Sequence, residues 1–411
     1  MKKPSARMRV MPARADLRTL FIAEAFGFGP ASKLLLLAGK LRASANLRAT
    51  YLGDGCAYEL CSSGPFDTVL YGDPTDLRRE SLLNRQLASA DVLVSSMEFK
   101  PLAAARNLGL TTIVFDSLFW MWPELSCDPK NVNLYFCQNF LGVKDRVAEL
   151  GRQANFHVVP PLTLAEQFAW QGGGTVILNF GGMDNPYADK AGVLGYAVCM
   201  LKALLEECRR QGVGLEVCGR SWVNRELSRI FADGFACLGT LAPEAFQARL
   251  RQARCLITSP GLETLYEAFT LGVPTFMLPA QNNSQAFQAQ KLKREIPRLA
   301  GVEWQDLMKT DLLDRPLAPA EMTQQALACA ARVQEDANAD ALLRGAVREF
   351  LQQDAATLDR QRREQFDFIR QMHRTADLQW ADVPSLVSLR REGPVAKKRP
   401  ARRRIAPAKR S

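Results

Sequence analysis

Short runs of β-branched and aromatic residues alternate with longer helix-patterned segments along most of this chain, and the alternation stops once and restarts. That rhythm is the strongest constraint on the fold. Adjacent parallel strands can be joined only by a long crossover, and the usual crossover is a helix packed back on the sheet. From Leu17 to about Pro161 the strand-like runs are Arg18–Glu24, Leu47–Tyr51, Thr68–Tyr71, Asp91–Ser95, Thr111–Phe115, Asn133–Cys137 and Phe156–Val159. The Leu- and Lys-rich run Ala31–Leu41 reads as the helix after the first strand. Pro160-Pro161 and Gly172-Gly173-Gly174 then bracket a connector with hinge composition. Beyond it strands are predicted at Thr175–Phe180, Gly214–Cys218, Phe235–Leu238, Arg254–Thr258 and Thr275–Leu278. Helices are predicted between and after them at Ala188–Gln211, Pro243–Gln252, Leu262–Leu271 and Ser284–Lys293. Residues 318–375 read as helical throughout.

An α/β chain of two parallel-sheet, Rossmann-like domains is therefore expected, over 17–162 and 172–317, with C-terminal helices over 318–378. A length of 411 residues suits two domains. Ligands of open α/β sheets bind beyond the carboxyl ends of the strands. Function is accordingly sought in the loops that follow strands.

The formal charge of +10 sits at the ends of the chain. Residues 390–411 hold ten Lys/Arg against Glu392 alone, and residues 1–18 hold six against Asp16, which leaves the middle net acidic by about four charges. A nucleic-acid enzyme carries its basic stripe on the folded body, so nucleic acid is not an expected partner except weakly, through the tail. Residues 1–16 read as a flexible basic N-terminus and 379–411 as a disordered basic tail, either a solvated end or a weak contact for acidic surfaces. No apolar run approaches the roughly 20 residues of a membrane helix, and no secretory signal is read at the N-terminus. Ten cysteines without a Cys-x-x-Cys pair read as buried reduced thiols, hence a cytoplasmic location. Two histidines, His157 and His373, exclude His-rich metal sites, and no two aspartates stand in the Asp-x-Asp spacing that holds Mg²⁺ or Mn²⁺.

Two loops carry the chemistry. The first is Glu24-Ala-Phe-Gly27-Phe-Gly29-Pro-Ala-Ser32-Lys33, running from the first strand into the first helix. Its glycines let backbone approach a ligand, and the helix start offers free N–H groups to an anion. Only half of a dinucleotide fingerprint is present, because Ser32 stands at the third glycine position. The second is Thr258-Ser-Pro-Gly261-Leu-Glu263-Thr264-Leu-Tyr-Glu267-Ala, then Gly272-Val-Pro274, a strand, Pro279 and a Gln/Asn run to Gln285. A strand ends in a small-residue turn, so Ser259 and the N–H groups of Gly261–Thr264 face a diphosphate, and Glu267 lies one turn further, within reach of a ribose diol.

This second segment resembles the donor site of GT-B glycosyltransferases, above all the UDP-glycosyltransferases and the N-acetylglucosaminyltransferase of the peptidoglycan lipid intermediate. The resemblance implies a GT-B fold and a UDP-sugar as co-substrate, with no other cofactor and no metal. It assigns Gly181 and Gly182 to the turn over the donor phosphates, Leu238 to the uracil edge, Glu267 to the ribose and Gln285 to the donor sugar. Arg220 is a further candidate, for a diphosphate or sugar carboxylate or simply as a surface residue. The family histidine that deprotonates the acceptor is replaced by Pro30. Asp116, in Ile113-Val-Phe-Asp116-Ser-Leu-Phe-Trp120, resembles the acid that orients it. The base is then Asp116 itself or Glu24. Phe119 and Trp120, beside Asp116, are read either as core or as a stacking platform for a flat acceptor. The loop ending at Lys33 and the Asn179-Phe-Gly-Gly182 turn look similar to cytosylglucuronate synthases, whose acceptor is a pyrimidine base. A metal-independent inverting glycosyltransferase with a small, planar acceptor is the leading expectation; the alternatives are a non-hydrolysing UDP-sugar epimerase and a non-catalytic nucleotide-sugar-binding protein.

Overall fold

Residues 17–151, 153, 155–164, 167–308 and 317–383 are described by a computed structural model. The first sheet has seven strands, β1 (Leu17–Ala23), β2 (Leu47–Gly53), β3 (Thr68–Tyr71), β4 (Val92–Ser96), β5 (Thr111–Asp116), β6 (Leu134–Gln138) and β7 (Phe156–Val159). All pair in parallel, in the order β3-β2-β1-β4-β5-β6-β7. Helices α1 (Gly29–Ser44), α2 (Gly55–Cys61), α3 (Leu82–Ser89), α4 (Leu102–Asn107) and α5 (Val143–Glu149) connect them. β1 is apolar almost throughout because it lies mid-sheet with both faces covered.

The second sheet, also parallel, runs β10-β9-β8-β11-β12-β13. Its strands are β8 (Thr175–Asn179), β9 (Gly214–Cys218), β10 (Ala236–Gly239), β11 (Cys255–Thr258), β12 (Thr275–Met277) and β13 (Ala300–Gly301). Helices α6 (Lys190–Gln211), α7 (Ser221–Phe231), α8 (Pro243–Gln252), α9 (Leu262–Leu271), α10 (Asn283–Glu295) and α11 (Trp304–Met308) belong to this half. The predicted two-domain alternation is what forms. The two-residue strand β13, too short to show a period, was not anticipated.

The helical C-terminal stretch divides into α12 (Pro319–Glu335), α13 (Ala337–Leu351) and α14 (Ala355–Arg374), broken at Asp336 and Asp354, whose side chains cap the helices that follow them. α12 and α13 pack on the second domain, in one apolar cluster with α6. α14 shares a cluster with α9 and the first-domain residues Phe140 and Val143. The chain then returns to the first domain, where Trp380 stacks on Phe115 with ring centroids 6.0 Å apart, its Nε1 donates to the Pro160 carbonyl at 3.1 Å, and Val383 is buried. The expected disordered tail is thus corrected over 379–383, whose apolar residues complete the first domain's core. The expected basic N-terminus (1–16) and the rest of the tail (384–411) lie outside the described residues.

Residues 169–173 of the connector are held against the second domain. Ala169 and Trp170 N–H groups donate to the Leu271 carbonyl, Gln171 N–H to that of Arg251, and a Cβ on Gly173 would meet the Gln252 oxygen at 1.9 Å. Gly173 there allows close packing against the second domain.

Candidate functional site

The carboxyl ends of both sheets face one cavity of about 1430 Å³, its open mouth included.

The first domain contributes the loop after β1. Glu24, Gly27, Gly29, Ser32 and Lys33 all line the cavity, with Pro30 among them. Gly27 has a φ of +69°, the left-handed turn that a glycine permits. Gly29 begins α1 with Pro30 beside it in the first turn, where a missing N–H costs nothing. The second domain contributes Gly181 and Gly182 after β8, then Ser259, Gly261, Glu263, Thr264 and Glu267 around the start of α9, and Gln285 on α10. The two glycine loops touch across the cleft: a Cβ on Gly182 would lie 2.7 Å from the Gly27 carbonyl carbon and from the Phe28 nitrogen.

Polar side chains absent from the predicted set brace these loops. Asn179, at the end of β8, accepts from Gly181 N at 3.1 Å and donates to Thr264 Oγ1 at 3.0 Å, tying the glycine turn to the first turn of α9. Gln281 donates to Ser259 Oγ at 2.6 Å, and its own N–H is held by Gln285 Oε1 at 2.8 Å. Glu267 Oε1 accepts from Leu164 N at 2.7 Å, so the acid expected at the ribose also holds the inter-domain connector. The signal for Gln281 was the Gln/Asn run after Pro279; Asn179 stood inside the resembling turn.

The two base candidates separate. Glu24 is on the cavity wall, and among the described residues its carboxylate makes no hydrogen bond or ion pair. Burial pushes its carboxyl up to about 7, with repulsion from Glu98 and Asp116 adding to the effect. Asp116, only 3% exposed, does not line the cavity. It accepts from Tyr135 OH at 2.7 Å and from Leu118 N at 2.8 Å. Burial raises it to about 6 against those bonds. It shapes the turn that places Ser117 and Leu118 on the wall.

Four other predicted residues do not reach the cavity. Phe119 is buried, edge-on to Tyr135 and Phe156 at 5.7 and 5.5 Å between centroids. Trp120 packs on Phe140 at 4.8 Å with the Lys291 ammonium over its ring. The turn after β5 directs both into the core, and the lining aromatics are instead Phe26, Phe28, Phe180 and Phe246. Leu238 lies within β10, while Leu241, beyond the strand end, is on the wall. Arg220 is taken up by acids: it pairs with Asp184 and lies 3.5 Å from Glu59. Asp184 also accepts from Cys56 N at 2.6 Å, and Glu59 accepts from Ser221 N at 3.0 Å and from Thr240 Oγ1. Arg220 therefore clasps the domains together.

No protein-family model matches the chain, and no curated protein matches it. Solved structures are similar to it over much of the chain. The structure of Phytolacca americana UGT2, complexed with UDP-2fluoro-glucose and pterostilbene, matches with a TM-score of 0.52 at 14% identity, over 92% of this chain and 100% of that one. CalG4, the calicheamicin glycosyltransferase, gives a TM-score of 0.47 at 15% identity, over 92% of this chain and 100% of that one. The S. aureus MnaA–UDP structure gives 0.46 at 11% identity, over 69% and 89%. The fold is the GT-B arrangement, two parallel-sheet α/β domains facing a cleft. Among the described residues no helix is long and apolar enough to cross a membrane.

Proposed function

We infer that this protein is a glycosyltransferase that passes the sugar of a UDP-sugar to a small acceptor bound beside Glu24. One observation carries the reading: the Glu24 carboxylate, raised toward neutrality by burial and without a partner among the described residues, lies on the same cavity as the glycine turn and the α9 N-terminus. A base works best when its pKa lies near the working pH. In the proposed step the Glu24 carboxylate takes the acceptor's proton. The acceptor heteroatom attacks the anomeric carbon, the bond from that carbon to the phosphate oxygen breaks, and the electron pair leaves with UDP. Attack opposite the leaving group inverts the anomeric centre, and the N–H groups of Gly182 and of the α9 start receive the developing charge. No metal ion or further cofactor enters this scheme.

The acceptor is small, flat and weakly acidic. Phe26 and Phe28 flank Gly27 on the wall and offer apolar ring surface, while a base near 7 suits an N–H or O–H more acidic than a sugar hydroxyl. A pyrimidine base, as in the cytosylglucuronate synthases, is the sharpest form of the reading.

The test is a product assay with UDP-glucose, UDP-N-acetylglucosamine and UDP-glucuronate, each against pyrimidine and phenolic acceptors and with no acceptor. Acceptor-dependent release of UDP, lost in Glu24→Gln, supports the transfer. A UDP-sugar epimerised without acceptor supports the epimerase instead. UDP bound with no turnover of any sugar supports a non-catalytic binder.

A further inference from the structure

The cavity is rich in acid for a site that would hold a diphosphate. Glu24, Asp184, Glu263 and Glu267 line it, and among the described lining residues Lys33 is the one cation. Glu263 stands in the first turn of α9, where N–H groups lack intrahelical partners and an anion is favoured. Its carboxylate is 12% exposed and forms an ion pair with the 2%-exposed Lys33 ammonium, which comes from α1 of the other domain. Lys33 Nζ also donates to the Leu162 carbonyl at 2.6 Å and lies 5.8 Å from the centroid of the Tyr266 ring. Burial raises the Glu263 carboxyl above its ordinary value even though Lys33 works against the rise, so the ion pair does not fully offset the burial of this carboxylate.

The geometry points to Lys33 as the cation that receives the donor's diphosphate, with Glu263 occupying the anion position until the diphosphate displaces it. This rests on the reading of the cavity as a nucleotide-sugar site. Arg220 is committed to Asp184 and Glu59, and no other lining cation is described. A diphosphate entering at the start of α9 would otherwise meet Glu263 as a like charge. Exchange of partners by Lys33 resolves the conflict: the ammonium keeps an anion in both states, and Glu263 moves toward solvent as the charge it balanced is replaced. Because Lys33 and Glu263 come from different domains, the exchange also links donor binding to the seam between them.

Calorimetric titration of the full chain with UDP, uridine and inorganic pyrophosphate, alongside thermal melting, tests the exchange. Lys33→Met is expected to weaken UDP on the order of 10–100-fold while leaving uridine within about threefold, the loss expected for a charge-assisted contact. Glu263→Gln is expected to melt lower without ligand, since Lys33 loses its partner, and to bind UDP and pyrophosphate about tenfold tighter. The double variant Lys33→Met with Glu263→Gln should recover the melting temperature but keep the weak UDP binding, which separates binding from folding. If Lys33→Met weakens UDP and uridine equally, or Glu263→Gln leaves UDP affinity unchanged, the pair is only an inter-domain bolt and the inference is overturned. If the unaltered protein binds neither UDP nor uridine, the nucleotide-sugar reading itself fails.

Discussion

At the scale of single residues, the sequence puts Asp116 forward as the base with Glu24 as the alternative, and their surroundings part them. An acid whose two oxygens are engaged by Tyr135 OH and Leu118 N lies behind the wall and does not line the cavity. Glu24→Gln should lower turnover about 10²–10⁴-fold, the usual worth of a general base. Asp116→Asn should stay within about tenfold of the unaltered enzyme, and Asp116→Ala should cost about 1–3 kcal/mol of stability by stranding the Tyr135 hydroxyl. Steady-state kinetics and urea denaturation check both, and a collapse of turnover in Asp116→Asn would return the base to that residue. Only the ionised base accepts a proton, so kcat/KM should rise as pH climbs through about 7 and fall away below it. Stability moves the other way. The folded-state value lies above the ordinary 4.5, so ionising Glu24 opposes folding. That cost is absent below 4.5, grows toward 7 and is constant above. Glu24→Gln should therefore gain on the unaltered protein over that window, a difference that melting curves at several pH values would show.

At the scale of elements, the readable parts were those with a local cause. α8 and α9 were anticipated at their observed bounds, because Pro243 opens one and Gly272, at a φ of +73°, closes the other. The glycines at 27, 181 and 182 were expected to approach a ligand. All three line the cavity, and in the structure Gly27 and Gly182 also approach each other, a fact of inter-domain docking that neither loop's sequence contains. Gly182→Ala would place a methyl carbon against backbone of the other domain, which has no rotamer to yield. About 1–3 kcal/mol of destabilisation is expected, with weaker donor binding because both loops line the cavity. Unaltered melting would mean that the loops part freely.

At the scale of the whole molecule, the two domains are joined by more than a connector. Tyr266 of α9 donates to the Asn139 carbonyl at 2.8 Å, Asn139 in turn donates to the Met372 carbonyl of α14 at 2.6 Å, and the residues after α14 finish the first domain's core. Trp380→Ala removes a stacked ring and a hydrogen bond to the connector at once. It should destabilise the protein by about 2–4 kcal/mol, and in denaturation followed by domain-specific probes the first domain should be the one that loosens. Equal stability with and without the indole would show that the returning segment is dispensable.

Composition and spacing were enough to determine the parallel two-domain architecture, the turn at the start of α9 and the glycine loop after β1. Each rests on short-range physics: apolar runs for strands with both faces covered, small residues at strand-to-helix turns, and proline and glycine at helix ends. Partnership was decided only in three dimensions. Phe119 and Trp120 went to the core, Arg220 to Asp184, Lys33 to Glu263 and Asp116 to Tyr135. An aromatic ring satisfies a core as well as a ligand, and an arginine or lysine satisfies a carboxylate as well as a phosphate. The choice depends on which groups the packing of separate elements brings within a few ångströms, and residues as far apart in the chain as Lys33 and Glu263 carry no local sign of it.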